Sequence, residues 1–156
     1  MGKFYEGLYS VLSIHVRQSA WLNSTPDRKQ PDPVSRLEAM KADGLEPEYP
    51  EVGAAEYLIT YLFEVGPIMA AGMGSGPITH EELAAWQRNT GVDLQSWESR
   101  MLRRLSIDYL NESHRATKAD CPAPYQPEEL SHRNREAVAK KVSNSMRAYM
   151  LAQGNP

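Results

Sequence analysis

Residues 72–110, GMGSGPITHEELAAWQRNTGVDLQSWESRMLRRLSIDYL, leave the backbone fewer choices than any other stretch of this chain. Thr79 followed by Glu82 has the spacing of a helix capping box. Glu81 and Glu82 suit the positive end of the helix that follows, and Leu83 and Trp86 face inward. Asn89-Thr90-Gly91 stops that helix, because glycine takes the left-handed conformation a helix end demands. A second helix starts just beyond, capped by Asp93 or by Ser96. In it Leu94, Trp97, Met101, Leu105 and Tyr109 form one apolar stripe, which Leu102 widens. Arg100, Arg103 and Arg104 lie off the stripe as a solvated face, with Glu98 and Asp108 close by.

The glycines ahead of this pair spell Gly-x-Gly-x-Gly at Gly72, Gly74 and Gly76. Phosphate loops use glycine so that backbone amides approach an anion. Here no strand clearly precedes the glycines, no lysine follows at the Walker spacing, and Pro77 takes the last slot. The expectation is a tight helix-to-helix connection with Met69 and Met73 packing beside it. His80-Glu81 begins like a zinc-protease motif, but Ala84 stands where the second histidine belongs, so His80 is read as an exposed first-turn residue. Cys121 has no histidine or aspartate partner in the sequence that would activate it. The sequence offers no catalytic set, no cofactor motif and no metal-ligand spacing.

Before this block, residues 4–22 place Phe4, Leu8, Val11, Leu12, His15 and Val16 on a helical stripe. That stripe either packs in the fold or docks on a partner. Asn23 to Pro33 carries Pro26, Pro31 and Pro33 and is a linker. Residues 33–44 read as a short helix, with Pro33 in its first turn and Gly44 as its stop. Leu37 and Met40 share a face there, too little for independent stability. Residues 54–66 are the most apolar stretch. Tyr57, Leu58, Tyr61, Leu62 and Val65 make one face of a helix that Gly66-Pro67 terminates. This is expected to be the central core helix.

After the block, ADCPAPYQP breaks the chain again. Residues 127–152 then form a helix candidate with Val138, Val142, Met146 and Tyr149 on one stripe. Arg133, Arg135, Lys140, Lys141 and Arg147 make that end basic, whereas residues 43–64 hold acidic groups and no basic one. The two ends either pair within the fold, stay solvated, or offer a cationic grip for an acidic partner.

Composition narrows the class. At 156 residues with 41% apolar content, one domain with a real core is the natural size. Eleven prolines and a mean hydropathy of -0.56 keep much of the chain exposed or irregular. A net charge of -3 gives no general pull toward nucleic acid or an anionic membrane. One cysteine allows no intrachain disulfide and fits a reducing compartment. No secretory pattern opens the sequence and no apolar run is long enough to span a bilayer. A cytoplasmic protein is expected.

Helix, Thr-Gly-Val turn and helix also describe a DNA-binding helix-turn-helix. With Gly91 on the turn glycine of that motif, Val92 and Trp97 fall on apolar positions as required. Gln87 falls where a small residue must sit, and Arg100 where an apolar one must pack. A small helix-turn-helix DNA-binding or regulatory protein is therefore the alternative reading, and an inhibitor of a host protein a further one.

The block from 57 to 125 resembles the tail assembly chaperones of long-tailed, siphovirus-type bacteriophages, specifically their C-terminal extension-type domain. The resemblance rests on Phe63-Glu64-Val65-Gly66 ending an apolar helix, on Gly72 to Ile78, and on Glu81 to Trp86. It continues through Thr90-Gly91-Val92-x-Leu94-x-x-Trp97-Glu98, the Arg/Leu pattern from Arg100 to Leu110, and the close Asp120 to Tyr125. It covers a little under half of the chain. It implies a non-enzymatic role in the cytoplasm of the bacterial host, through contacts with the tape measure protein, the tail tube protein, or both. In the family this domain extends a larger N-terminal coating domain. Residues 1–56 do not look like one, so tube-protein binding is the better supported half.

The resulting expectation is an all-α fold of roughly four to five helices with proline-rich linkers and a C-terminal helical arm. Residues 1–33 supply an N-terminal helix and linker, 34–125 the helical core domain, and 126–156 a C-terminal amphipathic helix. Tyr57, Tyr61, Leu62, Trp86, Trp97, Met101 and Leu105 are the expected core, with the two tryptophans paired. Met73, Gln95, Arg100, Arg104, Lys140, Lys141 and Arg147 are the expected partner contacts. No cofactor, metal or membrane is expected, nucleic acid is not an expected partner, and the sequence leaves the oligomeric state open.

Overall fold

A computed structural model describes residues 2–26 and 28–127, with the isolated positions 140, 143, 144 and 147. The chain divides into two compact units, Met1–Tyr125 and Gln126–Pro156. In the second, Lys140, Ser143, Asn144 and Arg147 are helical and exposed. Gln126 and Pro127, at the start of the expected C-terminal arm, are not helical, and its remaining positions, Lys141 included, lie outside the described residues.

The first unit is a small helical fold, as its sequence periodicity predicts. Its helices are α1 (Gly2–Asn23), α2 (Arg36–Ala42), α3 (Glu56–Val65), α4 (His80–Thr90) and α5 (Ser96–Arg115), with a short 3-10 turn at Gly53–Ala55 leading into α3. The hub is α5, which packs against α1, α3, α4 and the segment before α4. This corrects the expectation that the 54–66 helix is central. Residues Met101, Leu102 and Leu105 of α5 meet Leu12 and Val16 of α1, Leu58, Ile59 and Leu62 of α3, and Ile78 and Leu83 near α4. Burial of such side chains contributes about 1.5–3 kcal/mol each. The N-terminal helix is thus a packing helix that shares the core through Leu12 and Val16, while Phe4 at the start of its stripe stays exposed.

Helix ends follow local chemistry. Thr79 Oγ1 accepts from the Glu82 amide, and Gly91 closes α4 at φ 74°. Ser35 caps α2, in a reciprocal box with Glu38, so Pro33 lies before the helix rather than in its first turn. The α5 cap is Gln95, also in a reciprocal box with Glu98, so neither Asp93 nor Ser96 performs that role. The glutamine amide does what a shorter polar side chain ordinarily does because Glu98 returns the bond to its backbone at 2.7 Å.

The glycine-rich connection is an antiparallel hairpin, β1 (Met69–Ala71) with β2 (Gly74–Gly76), in the register Met69↔Gly76, Ala70↔Ser75, Ala71↔Gly74. The expected helix-to-helix connection is therefore a projecting two-stranded ribbon. Its two-residue loop is Gly72-Met73, and Gly72 takes φ +56°, which a hairpin loop this short demands of its first residue. Met73 does not pack: it is 108% exposed at the tip. The ribbon is held from below. The fully buried Ser106 hydroxyl donates to the Pro67 carbonyl at 2.7 Å and accepts from the Ile78 amide at 2.8 Å. Arg103 Nε donates to the Ile78 carbonyl at 3.0 Å.

Three expected core residues are placed differently. Tyr57 is a surface residue, with its hydroxyl on Glu98 at 2.6 Å. Tyr61 and Trp97 are half-buried. The tryptophans do not pair with each other: Trp86 packs on Tyr61 with ring centroids 5.0 Å apart, and Trp97 on Tyr5 at 5.2 Å. Tertiary packing turned α3 so that Leu58, Ile59 and Leu62 point inward. Its tyrosines keep their hydroxyls toward water and partners, as amphipathic rings do.

Candidate functional site

The surface feature with the most chemistry lies where the N-terminal ends of α1 and α5 meet. A groove of about 390 Å³ is lined by Gly2, Tyr5, Glu6, Trp97, Arg100, Met101 and Arg104. The helix periods explain the assembly. Residues 97, 100, 101 and 104 share one face of α5, and residues 2, 5 and 6 share one face of α1. Tyr5, Trp97 and Met101 give an aromatic and thioether floor. Phe4 stands beside it, edge-on to Tyr5 at 5.5 Å and 73% exposed.

The two arginines of the groove differ. Arg104 is committed: its guanidinium stacks 3.5 Å from the Tyr9 ring centroid and pairs with Glu6 at 3.1 Å. The hydrogen bond to Glu6 holds its pKa above the usual guanidinium value. Arg100 is exposed, and among the described residues it has no carboxylate at ion-pair distance. Gln95 is exposed but spends its side chain on the α5 cap. So of the expected contact residues, the groove brings together Arg100 and Arg104. Met73 stands apart on the hairpin, Gln95 is structural, and Lys140 and Arg147 belong to the second unit.

A second polar cluster joins the other ends of the same helices. Asp108 Oδ2 accepts from the Tyr9 hydroxyl at 2.7 Å and from Ser13 Oγ at 2.8 Å. Burial, then the Asp108 hydrogen bond, raises the Tyr9 pKa. One turn further on, Glu112 is 1% exposed and accepts from Arg17 Nε at 2.9 Å and from Arg115 at 3.5 Å. Cys121 Sγ lies 3.9 Å from the same carboxylate. Arg36, the buried residue of α2, donates to the carbonyls of Ala116, Lys118 and Trp21 and covers the Trp21 ring at 4.6 Å. Burial lowers the Arg36 pKa. The indole of Trp21 in turn donates to the Cys121 carbonyl at 2.8 Å.

These groups are satisfied by one another, and their work is to close the ends of α1 and α5. Sequence reasoning did not single out Arg36, Ser106 or Glu112. The signal was present only as polar residues on otherwise helical faces. Among the described residues no three His, Cys, Asp or Glu side chains gather as a metal site, and no helix is long and apolar enough to cross a membrane. Comparison of the chain with protein families, with curated proteins and with solved structures finds no match.

Proposed function

We propose that this chain is a non-enzymatic tail assembly chaperone of a long-tailed bacteriophage. It acts in the host cytoplasm by contacts with the tail tube protein, the tape measure protein, or both. The observation that carries the reading is the distribution of exposed apolar groups. Phe4 is exposed and Tyr5 and Trp97 are half-buried at one open groove beside Arg100, which among the described residues has no carboxylate at ion-pair distance, and Met73 stands exposed at the tip of a braced hairpin. Apolar anchors rimmed by charge are what protein-docking surfaces present. The residues of the family pattern support the reading in a second way. Gly72, Pro77, Ile78, Glu98 and Ser106 build the hairpin, its anchor and the α5 cap, which leaves partner choice to the exposed residues around them.

The test is co-expression with the tape measure and tube proteins encoded beside this chain, followed by co-purification. A complex with either is expected. Failure with both, while the chain keeps its helical circular dichroism, would refute the proposal.

A further inference from the structure

The hairpin ends in an exposed methionine, but its edge holds unused chemistry of a more specific kind. The register pairs Ala71 with Gly74 across the two-residue loop, Ala70 with Ser75, and Met69 with Gly76. In such a ladder the pair that closes the loop and every second pair after it exchange the hydrogen bonds of the ribbon, and the pair between them turns its N–H and C=O groups outward. Ala70 and Ser75 are that outward pair. Both are exposed, and among the described residues no hydrogen bond joins their backbone to any part of the chain beyond the ribbon.

The two edges differ. Strand β2 is the one that packs on α5, and Arg103 rises from α5 on that side to the Ile78 carbonyl. Strand β1 is the outer one. Proteins ordinarily guard an outer edge with lysine, proline, an inward charge or a bulge. Met69-Ala70-Ala71 has none of these: its register is regular, and two exposed alanines leave the main chain open. The carboxylates at the ribbon's two roots are Glu64 in the last turn of α3 and Glu81 and Glu82 in the first turn of α4. All three are exposed, and among the described residues none is in an ion pair. Residues 42–87 contain no lysine or arginine, and His80 is their only histidine.

We infer that the β1 edge takes an extended, basic segment of a partner protein as a third strand. This rests on the protein-docking role proposed above and names its main-chain contact. A strand laid against β1 exchanges two hydrogen bonds with Ala70, and main-chain bonds of this kind are how strand addition gains affinity. Apolar side chains at alternate positions of the added strand sit beside Met69 and Ala71. Lysines or arginines between and beyond them meet the glutamates at the roots. A second copy of this chain fits the edge worse, because pairing β1 with β1 brings the same three carboxylates of both copies together.

The test uses the full chain and a panel of short dye-labelled peptides in which lysine or arginine alternates with valine or phenylalanine. Fluorescence anisotropy is read at about pH 8, above the ordinary histidine range. Saturable binding is expected, weakening as salt rises, and NMR hydrogen exchange is expected to show the Ala70 amide protected at least about fivefold. The same peptides N-methylated at alternate residues keep charge and side chains but lose main-chain donors. They are expected to bind at least about fivefold more weakly, the size of one or two lost hydrogen bonds. Ala70→Pro removes the outward donor from the protein, at an edge position that proline tolerates, and is expected to weaken binding alike. Circular dichroism checks that this variant is folded, and the N-methylated peptides carry the test should it not be. Peptides with glutamate in place of lysine or arginine are expected not to bind.

Absence of saturable binding across the basic panel overturns the inference. So does binding that N-methylation and a folded Ala70→Pro leave unchanged, which is charge attraction alone, or equal binding of the acidic peptides. Protection of Ala70 that grows with concentration of the free chain assigns the edge to a second copy and overturns it too. The panel contains no tail-protein sequence. A chain that co-purifies with a tail protein yet ignores the panel therefore keeps the docking role and loses β1 as its contact.

Discussion

Arg36 is the side chain on which the joining of three helices depends, and Arg36→Met is the sharpest test of that reading. The residue is 8% exposed. Its guanidinium reaches the carbonyls of Ala116 at 2.6 Å, Lys118 at 2.8 Å and Trp21 at 3.3 Å. Ala116 is the C-cap of α5, and Trp21 lies in the last turn of α1, so one cation satisfies helix-end acceptors that have no intrahelical donor. It also sits at the negative pole of both helices. Methionine keeps the aliphatic stem but leaves the Ala116 carbonyl without its donor, while the Trp21 carbonyl keeps the Ser24 amide at 3.3 Å. A buried acceptor stranded by loss of a charged donor costs roughly 1.5–3 kcal/mol. Lys118 is exposed, so water replaces that bond, and the Trp21 bond is long. Roughly 2 kcal/mol from Ala116 and 1 kcal/mol from Trp21 give a loss of about 3 kcal/mol.

Urea titration followed by circular dichroism measures it. With a slope near 2 kcal/mol/M for a unit of this size, the midpoint is expected to fall by about 1.5 M at unchanged slope. Arg36→Lys keeps the charge but loses the planar fork, and is expected to recover less than half of the loss. A midpoint shift of Arg36→Met below about 0.3 M, or full recovery by lysine, would refute the assignment of Arg36 as a two-helix cap.

Ser106→Ala strands the Ile78 amide and the Pro67 carbonyl at the base of the hairpin and is expected to cost about 2 kcal/mol. Hydrogen exchange over residues 69–76 is expected to accelerate more than that of α1. Tyr57 has its pKa pushed up to about 12, by burial first and then by Glu98. The neutral phenol is the favoured folded form, so its contribution is fully present below pH ~10, the unfolded value, and is lost as pH rises toward about 12. Tyr57→Phe is expected to flatten the alkaline fall in stability and to remove the highest-pH component of the phenolate absorbance. Trp97→Ala is expected to cost about 2 kcal/mol by thermal melting, roughly half the usual loss for a fully buried ring, because Trp97 is half-buried. Gly91 sits at φ 74°, and Gly91→Ala is expected to lower stability by about 1 kcal/mol in the same assay.

What the sequence made legible was local. The start at Thr79 and the stops at Gly66 and Gly91 depend on neighbours a few residues away, and helix periodicity needs only the chain itself. The hairpin was hidden because Ala, Gly and Ser carry little strand propensity. Its stability comes instead from a serine on another helix. Arg36 was hidden because its partners are backbone carbonyls some 80 positions on, and a backbone carbonyl has no letter in a sequence. Glu112 was hidden for a similar reason: Arg17, which neutralises it, approaches from a different helix. Where the apolar pattern was broad, as in α3, the sequence specified a helix but not its rotation. That is why Tyr57 faced outward and Ile59 inward.

The candidate site was legible in part, and the division has a physical cause. Arg100 and Arg104 have the same chemistry and neighbouring positions on α5, so the sequence ranked them alike. The fold then separated them: α1 presents Tyr9 and Glu6 to Arg104 and, among the described residues, leaves Arg100 with no carboxylate at ion-pair distance. A cation is available to a partner only after the fold has chosen which others to neutralise. The same selection acts on methionine. Met101 is 6% exposed and belongs to the core, while Met73 is lifted into solvent by strands too short to pack it. Helix α5 performs both selections, because its inward face makes the core and its two flanks carry the groove and the hairpin's anchor. A substitution that rotated α5 would move groove and hairpin together, whereas Met73→Ser or Arg100→Glu changes one alone. Binding effects from the two kinds of change therefore separate partner contact from scaffold.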